Sequence, residues 1–261
     1  MDDAELIARE RRSQRECYRS AYSCFGADAR AVEIAPGLLA CVVPATPHAS
    51  ITNAVVYDDP RLVLDRHDEL LALYADAGCA AWTVWVRQGD DALVDGLHAR
   101  GHRLDAEPAL MAAVIDDLEL DSDGPDALDL DPEPAWADFG PINEAAYATP
   151  PGAFAPAFAD VAAGMPLRPL VARLDGAPAA CAAWLPTAEG DCSIQVVATL
   201  PQAQGRGLAS GLVREALRRA REHGCTTTSL EGSPAGTPVY QRLGYRTLGR
   251  LRMLEHRRPA P

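Results

Sequence analysis

Residues 193–220, SIQVVATLPQAQGRGLASGLVREALRRA, join a strand pattern to a helix pattern through a glycine-containing turn. The segment begins with an apolar, β-branched run and ends with apolar residues at helical spacing. Gly205 and Gly207 lie between the two patterns. A strand that leads through such a turn into a helix brings free backbone N–H groups and the positive end of the helix dipole together. We therefore expect an anion to bind at the start of this helix.

The chain contains no lysine, and all 24 of its basic residues are arginine. This composition excludes a phosphate-binding P-loop, because that motif requires a lysine after its second glycine. The net charge is −13, but residues 192–261 carry 11 arginines and 4 acidic residues, a local net charge of +7. A basic surface beside the glycine turn suits a polyphosphate ligand, whereas the acidic remainder of the chain argues against nucleic acid as a partner.

Composition also indicates the cellular setting. The sequence has no run of 18 apolar residues, so we expect no membrane partner, and its charged N-terminus has no apolar signal core. The seven cysteines are scattered and form no Cys-x-x-Cys pair, which is typical of buried thiols in a reducing compartment. Abundant alanine and the absence of lysine favour a GC-rich genome. We therefore expect a bacterial, cytoplasmic protein.

A cluster of acidic, glycine and proline residues at 116–134 predicts a boundary between two domains, 1–122 and 123–261, with the linker near 120–126. In the first domain we expect a helix to about Phe25, helices at 62–78 and 90–101, and several strands. In the second, a strand at 126–130 and helices at 134–147 and 153–163 precede three hairpin strands over 168–200. A helix at 207–223, a strand at 225–231, a helix at 236–243 and further strands follow. The order predicts an α/β fold of the α+β type, with helices on both faces of a mixed, mostly antiparallel sheet.

Three interpretations of the glycine turn are open from local pattern alone. GRGLAS, residues 205–210, is close to the dinucleotide-binding fingerprint, and Glu231 ends the next strand. Against that interpretation, only 56 residues follow Gly205, and hairpins rather than β-α units precede it. A second interpretation is an ordinary turn in which glycine is needed only for its backbone freedom. The third depends on two motifs considered together.

The first motif is QAQGRG, residues 202–207, which fits [RQ]-x-x-G-x-[GA]. The second is YQRLGY, residues 240–245, which fits Y-x-x-L-G-[FY]. Together and in this order they resemble the GNAT superfamily of N-acetyltransferases, over about residues 126–256. The resemblance implies that acetyl-CoA (coenzyme A) is the bound anion. It also implies that an acetyl group passes directly to a primary amine.

The resemblance also assigns roles to individual residues. The coenzyme would contact the strand before the turn and the backbone of the turn itself, at Val197, Thr199, Gln202, Gln204, Gly205, Arg206, Gly207, Leu208 and Ala209. Tyr240 matches the general acid that protonates the departing thiolate, and Glu231 is a candidate base acting through water. Four residues are candidates for the acceptor pocket: Asn143, Tyr147, Phe154 and Trp184. No metal site is expected.

Residues 79–116 repeat the order of elements found at the end of the chain, with LHARGH echoing YQRLGY. This similarity predicts a tandem arrangement of two GNAT-like domains. The first domain would be degenerate, because residues 55–71 lack a glycine turn and His98 lies near the position of the tyrosine. The expected partner is a small-molecule or peptide amine, and the protein would be a monomer or homodimer. The alternative is a non-catalytic CoA-binding or protein-interaction module with the same fold.

Overall fold

A computed structural model of the chain describes residues 1–120 and 128–258. Within these residues, eleven strands form one mixed sheet in the order β1-β2-β3-β4-β11-β6-β10-β9-β8-β7, with β5 pairing to β11. The strands are β1 Arg30–Ala35, β2 Leu38–Val42, β3 Ala54–Tyr57, β4 Ala81–Arg87, β5 Arg103–Ala106, β6 Ala109–Val114, β7 Arg168–Leu174, β8 Ala177–Pro186, β9 Asp191–Thr199, β10 Thr227–Gly232 and β11 Arg246–Arg257.

The helices lie on both faces of the sheet. They are α1 Asp3–Glu16, α2 Pro60–Asp65, α3 His67–Asp76, α4 Asp91–Ala99, α5 Phe139–Ala146, α6 Ala155–Ala159, α7 Leu208–Glu222 and α8 Thr237–Arg242. A π-helical turn, Cys17–Ala21, continues α1, and short 3-10 turns occur at Tyr22–Cys24, Ile115–Asp117, Trp136–Asp138 and Pro201–Ala203. No helix within the described residues is long and apolar enough to cross a membrane.

The two halves of the chain exchange strands at the centre of the sheet. Strand β6 from the first half pairs antiparallel with β10 and with Arg246–Arg250 of β11. The remainder of β11, Leu251–Arg257, pairs with β4 of the first half along its whole length. Because each half supplies a strand to the other, the sheet continues without an edge between them. The predicted boundary between residues 122 and 123 lies outside the described residues and stays a prediction.

Three hydrophobic clusters fill the space between the sheet and the helices. One lies beneath α7 and contains Leu212, Val213, Ala216, Leu217 and Ala220, whose spacing follows one face of a helix. A second lies in the first half beneath α2, α3 and α4. The third, on the opposite face, is shared by both halves and packs α1, the π-helical turn, α5 and α6 against the sheet. This shared cluster joins the two halves on the side where the site lies.

The predicted fold class is confirmed, with local differences. The helix expected over 62–78 is divided at Arg66, whose backbone leaves the helical region. The strand β5 was not predicted, and the strands expected at the C-terminus are one continuous strand. Of the strand expected at 126–130, the described part contributes only an isolated bridge between Leu130 and Ala172. The linker predicted near 120–126 falls almost entirely outside the described residues.

The strand exchange predicts that the last residues of the chain stabilise the first half. Leu254 on β11 is fully buried in the first-half cluster, so Leu254→Ala should lower the free energy of unfolding by about 2–5 kcal/mol. The matched control is Arg252→Ala on the same strand, which removes an exposed ion pair with Asp91 and should cost about 1 kcal/mol or less. Urea denaturation of the full chain measures both. Equal losses in the two variants would contradict the exchange.

Candidate functional site

The site begins where β9 and β10 separate. These two strands pair in parallel only from Asp191 to Ser193 on β9. Beyond Ser193, a β-bulge bends β9. Two residues separate Gln195 from Ala198 on β9, whereas a single residue separates the partners of these two residues on β8. The extra position includes Val196, whose φ of +53° is unusual for a β-branched residue. The strand before the glycine turn therefore diverges from its neighbour and opens a gap in the sheet.

A cavity of about 530 Å³ begins in this gap and extends to the start of α7. Gly205 and Gly207 both have a φ of +77°, and Gly207 is the N-cap of α7. The first N–H groups of a helix have no acceptor within it, and the first turn of α7 contains no acidic side chain that would compete for them. A Cβ at Gly205 would meet open space. The turn thus presents unshielded backbone donors to the cavity.

Most of the predicted coenzyme contacts line this cavity. They are Val197, Thr199, Gln204, Gly205, Gly207, Leu208 and Ala209. Gln202 and Arg206 do not line it, and contacts of their side chains with the coenzyme stay a prediction. The reason that they do not line it is local, because the 3-10 turn Pro201–Ala203 buries Ala203 and leaves Gln202 exposed, and Arg206 is exposed between the two glycines.

Two carbonyl groups of β9 face the open gap and are held there by side chains. The Tyr147 hydroxyl donates to the Val197 carbonyl over 3.0 Å, and the Gln204 amide donates to the Thr199 carbonyl over 3.3 Å. Tyr147 itself is about half exposed, at 52%. An extended ligand that paired with this strand edge would compete with both side chains.

A second cavity, of about 470 Å³, lies on the other side of the gap. The predicted acceptor residues Asn143, Tyr147 and Phe154 line it, as do Glu231 and Tyr240. The two cavities share four lining residues: Tyr147, Val197, Ser233 and Tyr240. A channel from the glycine turn therefore meets a separate chamber at Tyr240. Among the described residues, the Tyr240 hydroxyl has no protein hydrogen-bond partner, and burial raises its pKa.

Local contacts place Phe154 at the chamber. Glu144, near the end of α5, accepts hydrogen bonds from the backbone N–H groups of Phe154 and Ala155, each over 2.8 Å. These bonds lower the pKa of Glu144, and they fix the turn that precedes α6. Gly140 of α5 packs against Ala155 so closely that a Cβ there would lie 2.6 Å from the Ala155 Cα. The short contact holds α6 and Phe154 against the sheet.

Trp184 does not line either cavity, and the prediction of an acceptor contact is wrong for it. Successive side chains of a strand point to opposite faces, and Trp184 lies on the face beneath α7. It is 2% exposed, with the Arg168 guanidinium 4.9 Å from its ring centre. Its neighbours on β8, Ala183 and Leu185, face the shared cluster instead. Trp184 is a core residue.

Glu231 lies in the chamber wall within a chain of polar contacts from the first half. Gln14 of α1 donates to Glu231 over 3.1 Å, and the Gln14 carbonyl oxygen accepts from Arg87 over 3.2 Å. Arg87 is also paired with the buried Glu10 at 2.8 Å. Burial raises the pKa of Glu231 to about 8, and the negative field of Glu10 adds to this effect while Arg87 opposes it. Glu231 is therefore a carboxyl group able to gain or lose a proton near neutral pH.

The first half contains a counterpart of the gap, and it is filled. Strands β3 and β4 pair in parallel only at Ala54 and Val55 before they separate. The space beyond them is about 10 Å³, and it is bounded by arginines of α1 together with Tyr57 and Trp85. At the start of α2, Asp59 caps its own helix through the Arg61 N–H, and Pro60 has no N–H to offer. This half offers no anion cradle and no channel.

The sequence analysis missed the contribution of the first half to the chamber. Gln14, Cys17, Tyr18, Tyr22, Phe25 and Trp85 all line it. The signal available in the sequence was the helical spacing of two polar residues, Glu10 and Gln14, which lie four residues apart on α1. The structure shows that the face of α1 that carries them is buried. Such residues on a buried helix face indicate a polar partner elsewhere in the chain. The sequence does not say which strand supplies that partner.

Comparisons with known proteins agree with this geometry. The model of the acetyltransferase (GNAT) family matches residues 135–245. A GCN5-related N-acetyltransferase from Kribbella flavida is 21% identical over 97% of this chain and 96% of its own, with a TM-score of 0.68. One from Sphaerobacter thermophilus is 18% identical over 86% of this chain and 78% of its own, with a TM-score of 0.60. The curated proteins give no significant match.

A tandem GNAT protein of the clavulanic acid biosynthesis pathway is also similar in fold. It is 15% identical over 86% of this chain and 79% of its own, with a TM-score of 0.56. At these identities the likeness concerns the fold. The chain therefore shares the α/β fold of these GNAT proteins. The part of the chain that matches the acetyltransferase (GNAT) family model, residues 135–245, contains the glycine turn and the Tyr240 segment.

The raised pKa of Glu231 predicts how stability depends on pH. The folded protein keeps a proton on Glu231 up to about pH 8, whereas the unfolded chain loses it near the ordinary value of 4.5. The unfolded state therefore binds fewer protons between these values, and stability falls as pH rises through them. Glu231→Gln removes this loss, so its melting temperature relative to the unmodified protein should rise from pH 5 to pH 9. Thermal unfolding across that range measures it.

The control for this prediction is Glu222→Gln, at the exposed end of α7. Its melting temperature should stay at a constant offset from the unmodified protein across the same pH range. If Glu231→Gln behaves like the control, Glu231 is ionised normally in the folded protein, and its proposed proton transfer loses its physical basis.

Proposed function

We propose that this protein is an N-acetyltransferase that moves an acetyl group from acetyl-CoA to a primary amine in one direct step. The observation that carries the proposal is the meeting of two cavities at Tyr240 and the bulge of β9. One cavity leads to a glycine turn at a helix start, and the other is lined by the carboxyl group of Glu231. A binding module would need the first cavity but has no evident use for the second.

The residues present fit acetyl-CoA as the donor. The pyrophosphate would be held by backbone N–H groups between Gly205 and Ala209, where the helix dipole adds to their attraction. The pantetheine arm would pair with the open edge of β9 at Val197 and Thr199, as a peptide adds to a sheet edge. The side chain of Tyr147 must then leave the Val197 carbonyl. The coenzyme supplies the activated acetyl group.

The bulge at Val196 has a role in this reaction. An extra residue in a strand leaves its neighbouring N–H without a partner in the ladder and turns it out of the sheet. We assign the N–H of Val197 to the thioester carbonyl, whose oxygen becomes more negative as the amine attacks. A fixed donor at that point stabilises the developing charge and lowers the barrier.

Two side chains move the protons. As the new C–N bond forms and the C–S bond breaks, the amine loses a proton and the thiolate gains one. Glu231 takes the proton of the amine, directly or through water, when it is in its ionised form, which a bound ammonium favours. Tyr240 donates its hydroxyl proton to the thiolate and recovers a proton from solvent. A phenol suits this task because it is protonated at pH 7.

Direct transfer is favoured over a covalent acetyl-enzyme. Cys17 lines the chamber and is the thiol nearest in position to such a role. Burial raises its pKa well above the ordinary value, so the reactive thiolate form is suppressed. We therefore assign no nucleophilic role to a side chain.

We further propose that the first half is a second, degenerate copy of the same domain. Its strands and helices follow the same order as those of the second half, three strands, a helix, a strand, a helix and a final strand region. Its filled gap and its capped α2 explain why one coenzyme site is expected per chain. Its function is then to complete the acceptor chamber.

The coenzyme site is tested by Gly205→Asp. An aspartate there adds a negative charge beside the pyrophosphate and a side chain at a left-handed backbone position, so acetyl-CoA affinity should fall at least ~100-fold. The matched control is Gly176→Asp, because Gly176 has a φ of +79°, also has open space around its Cβ position and lies in a turn far from both cavities. Isothermal titration calorimetry with acetyl-CoA measures both. Equal affinity in the two variants would refute the assigned site.

The catalytic role is tested by Tyr240→Phe. Loss of one proton donor should lower kcat by about 10²- to 10⁴-fold. The dissociation constant for acetyl-CoA should change little, because the ring remains in place. The measurement is the rate of CoA thiol release with an accepted amine, beside calorimetry. Unchanged turnover would exclude Tyr240 as the acid, and absence of any turnover in the unmodified protein would favour a non-catalytic module.

A further inference from the structure

We propose that the acceptor is a primary amine on a compact hydrocarbon body, aromatic or branched, that carries no carboxylate and few hydroxyl groups. This inference rests on the proposed function and names the substrate class of the same site. It follows from the lining of the chamber, from the pairing of its polar groups and from the balance of its charges.

The wall of the chamber is mostly apolar. Aromatic rings form much of it, with the centres of Tyr18 and Tyr22 4.7 Å apart and those of Tyr22 and Phe25 5.5 Å apart. Phe158 continues this row at 5.1 Å from Phe25. Burial of apolar surface is favourable in proportion to its area, so such a wall selects a hydrocarbon body. A hydroxyl-rich sugar would lose its water contacts there without replacement.

The polar groups beside the aromatic row are already paired within the protein. The Tyr18 hydroxyl donates to the Ile51 carbonyl and accepts from the Trp85 indole N–H. The Tyr22 hydroxyl donates to the Gln195 side-chain oxygen, over 3.1 Å. Gln195 in turn donates to Ser193 over 2.9 Å. Because these groups satisfy each other, they are not free to recognise a second polar group on the acceptor.

The charges around the chamber favour one positive group and oppose a carboxylate. Glu231 is the carboxyl group beside Tyr240, where the chamber meets the coenzyme cavity. An ammonium group at this position would favour the ionised form of Glu231. Among the described lining residues, Arg257 is the one arginine. Its Nε and Nη2 atoms donate to the two carboxylate oxygens of Glu255 over 2.8 and 2.7 Å, so the two side chains form a bidentate ion pair. An acceptor carboxylate, as in a free amino acid, would thus lack a free cationic partner.

The size of the chamber agrees with a small acceptor. Its volume of about 470 Å³ falls within the range of roughly 300–1,000 Å³ that is usual for small-molecule sites. A polyamine or an aminoglycoside needs several acidic groups to hold its several charges. Asp105 and Glu255 lie on the same wall, but Glu255 is already paired and Asp105 is exposed. One internal carboxyl group matches one amine.

The test compares amines with the full-length protein and acetyl-CoA, by the rate of CoA thiol release. The panel is 2-phenylethylamine and isopentylamine as hydrocarbon amines, L-phenylalanine as the carboxylate analogue, and spermidine and kanamycin as polar polycations. We expect kcat/KM for 2-phenylethylamine to exceed that for spermidine about 100-fold. L-Phenylalanine should be at least ~10-fold poorer than 2-phenylethylamine. Preference for spermidine, kanamycin or L-phenylalanine overturns the inference and leaves the proposed function intact.

A second readout separates the two proposals if no amine is acetylated. Calorimetry measures the binding of each amine to the protein saturated with CoA, without any transfer. Tighter binding of 2-phenylethylamine than of spermidine supports the inference even though the proposed function fails. No binding of either hydrocarbon amine overturns it.

Variants of Phe154 locate the effect in the chamber. Phe154→Ser should raise KM for 2-phenylethylamine about 10-fold, and Phe154→Leu, which keeps an apolar wall, should restore most of the affinity. The dissociation constant for acetyl-CoA should stay constant, because Phe154 does not line the coenzyme cavity. The control is Trp136→Leu, whose ring stacks on Phe158 without lining the chamber. Equal changes in KM for spermidine and 2-phenylethylamine in Phe154→Ser would contradict the inference.

Discussion

The parallel pairing of β9 and β10 ends at Ser193, and the rest of the site depends on where it ends. If the two strands paired along their full length, neither cavity would reach Tyr240. The bulge with Val196 at a φ of +53° bends β9 away, and the backbone groups of Val197 and Thr199 are left facing the gap. A β-branched residue in that conformation is strained, and the surrounding sheet must hold it. Strain of this kind is common where a backbone group has a function.

The first half of the chain holds the second side of the gap. Helix α1 packs across β9, β10 and β6, and its Gln14 reaches Glu231 directly. Strand β11 returns to the first half and pairs with β4, so the two halves share one sheet. In the first half, the corresponding gap, between β3 and β4, is filled by side chains of α1. The helix that follows it, α2, is capped by its own side chain. The second half thus has an open gap, and the first half supplies a wall for it.

The sequence was sufficient for the fold class, for most of the order of elements and for the glycine turn that lines one of the cavities. Motifs such as QAQGRG are local, because the turn, the helix start and the strand before it are consecutive in the chain. The acceptor side was not accessible in the same way. Its wall joins residues from α1, β4 and β9, which are far apart in sequence and meet only through tertiary packing. The strand exchange is equally non-local, because β6 and β11 carry ordinary strand patterns whichever neighbour they pair with.

Two individual residues show the limit in physical terms. Trp184 was expected in the acceptor pocket, but strand alternation along β8 places it on the face beneath α7, and the sequence pattern does not say which face borders the site. Glu231 was found as a strand-end acid, whereas its raised pKa comes from burial and from Glu10, which lies more than two hundred residues away. Sequence pattern identifies such residue types. Packing determines their chemistry.

The most direct measurement is the structure of the protein crystallised with CoA. We expect the pyrophosphate at the N–H groups of residues 205–209, the pantetheine arm along Val197 and Thr199, and the sulfur within hydrogen-bond distance of the Tyr240 hydroxyl. We also expect that the Tyr147 hydroxyl no longer contacts the Val197 carbonyl. CoA bound in the first half, or a sulfur remote from Tyr240, would contradict the central claim that the two cavities meet at a transfer site.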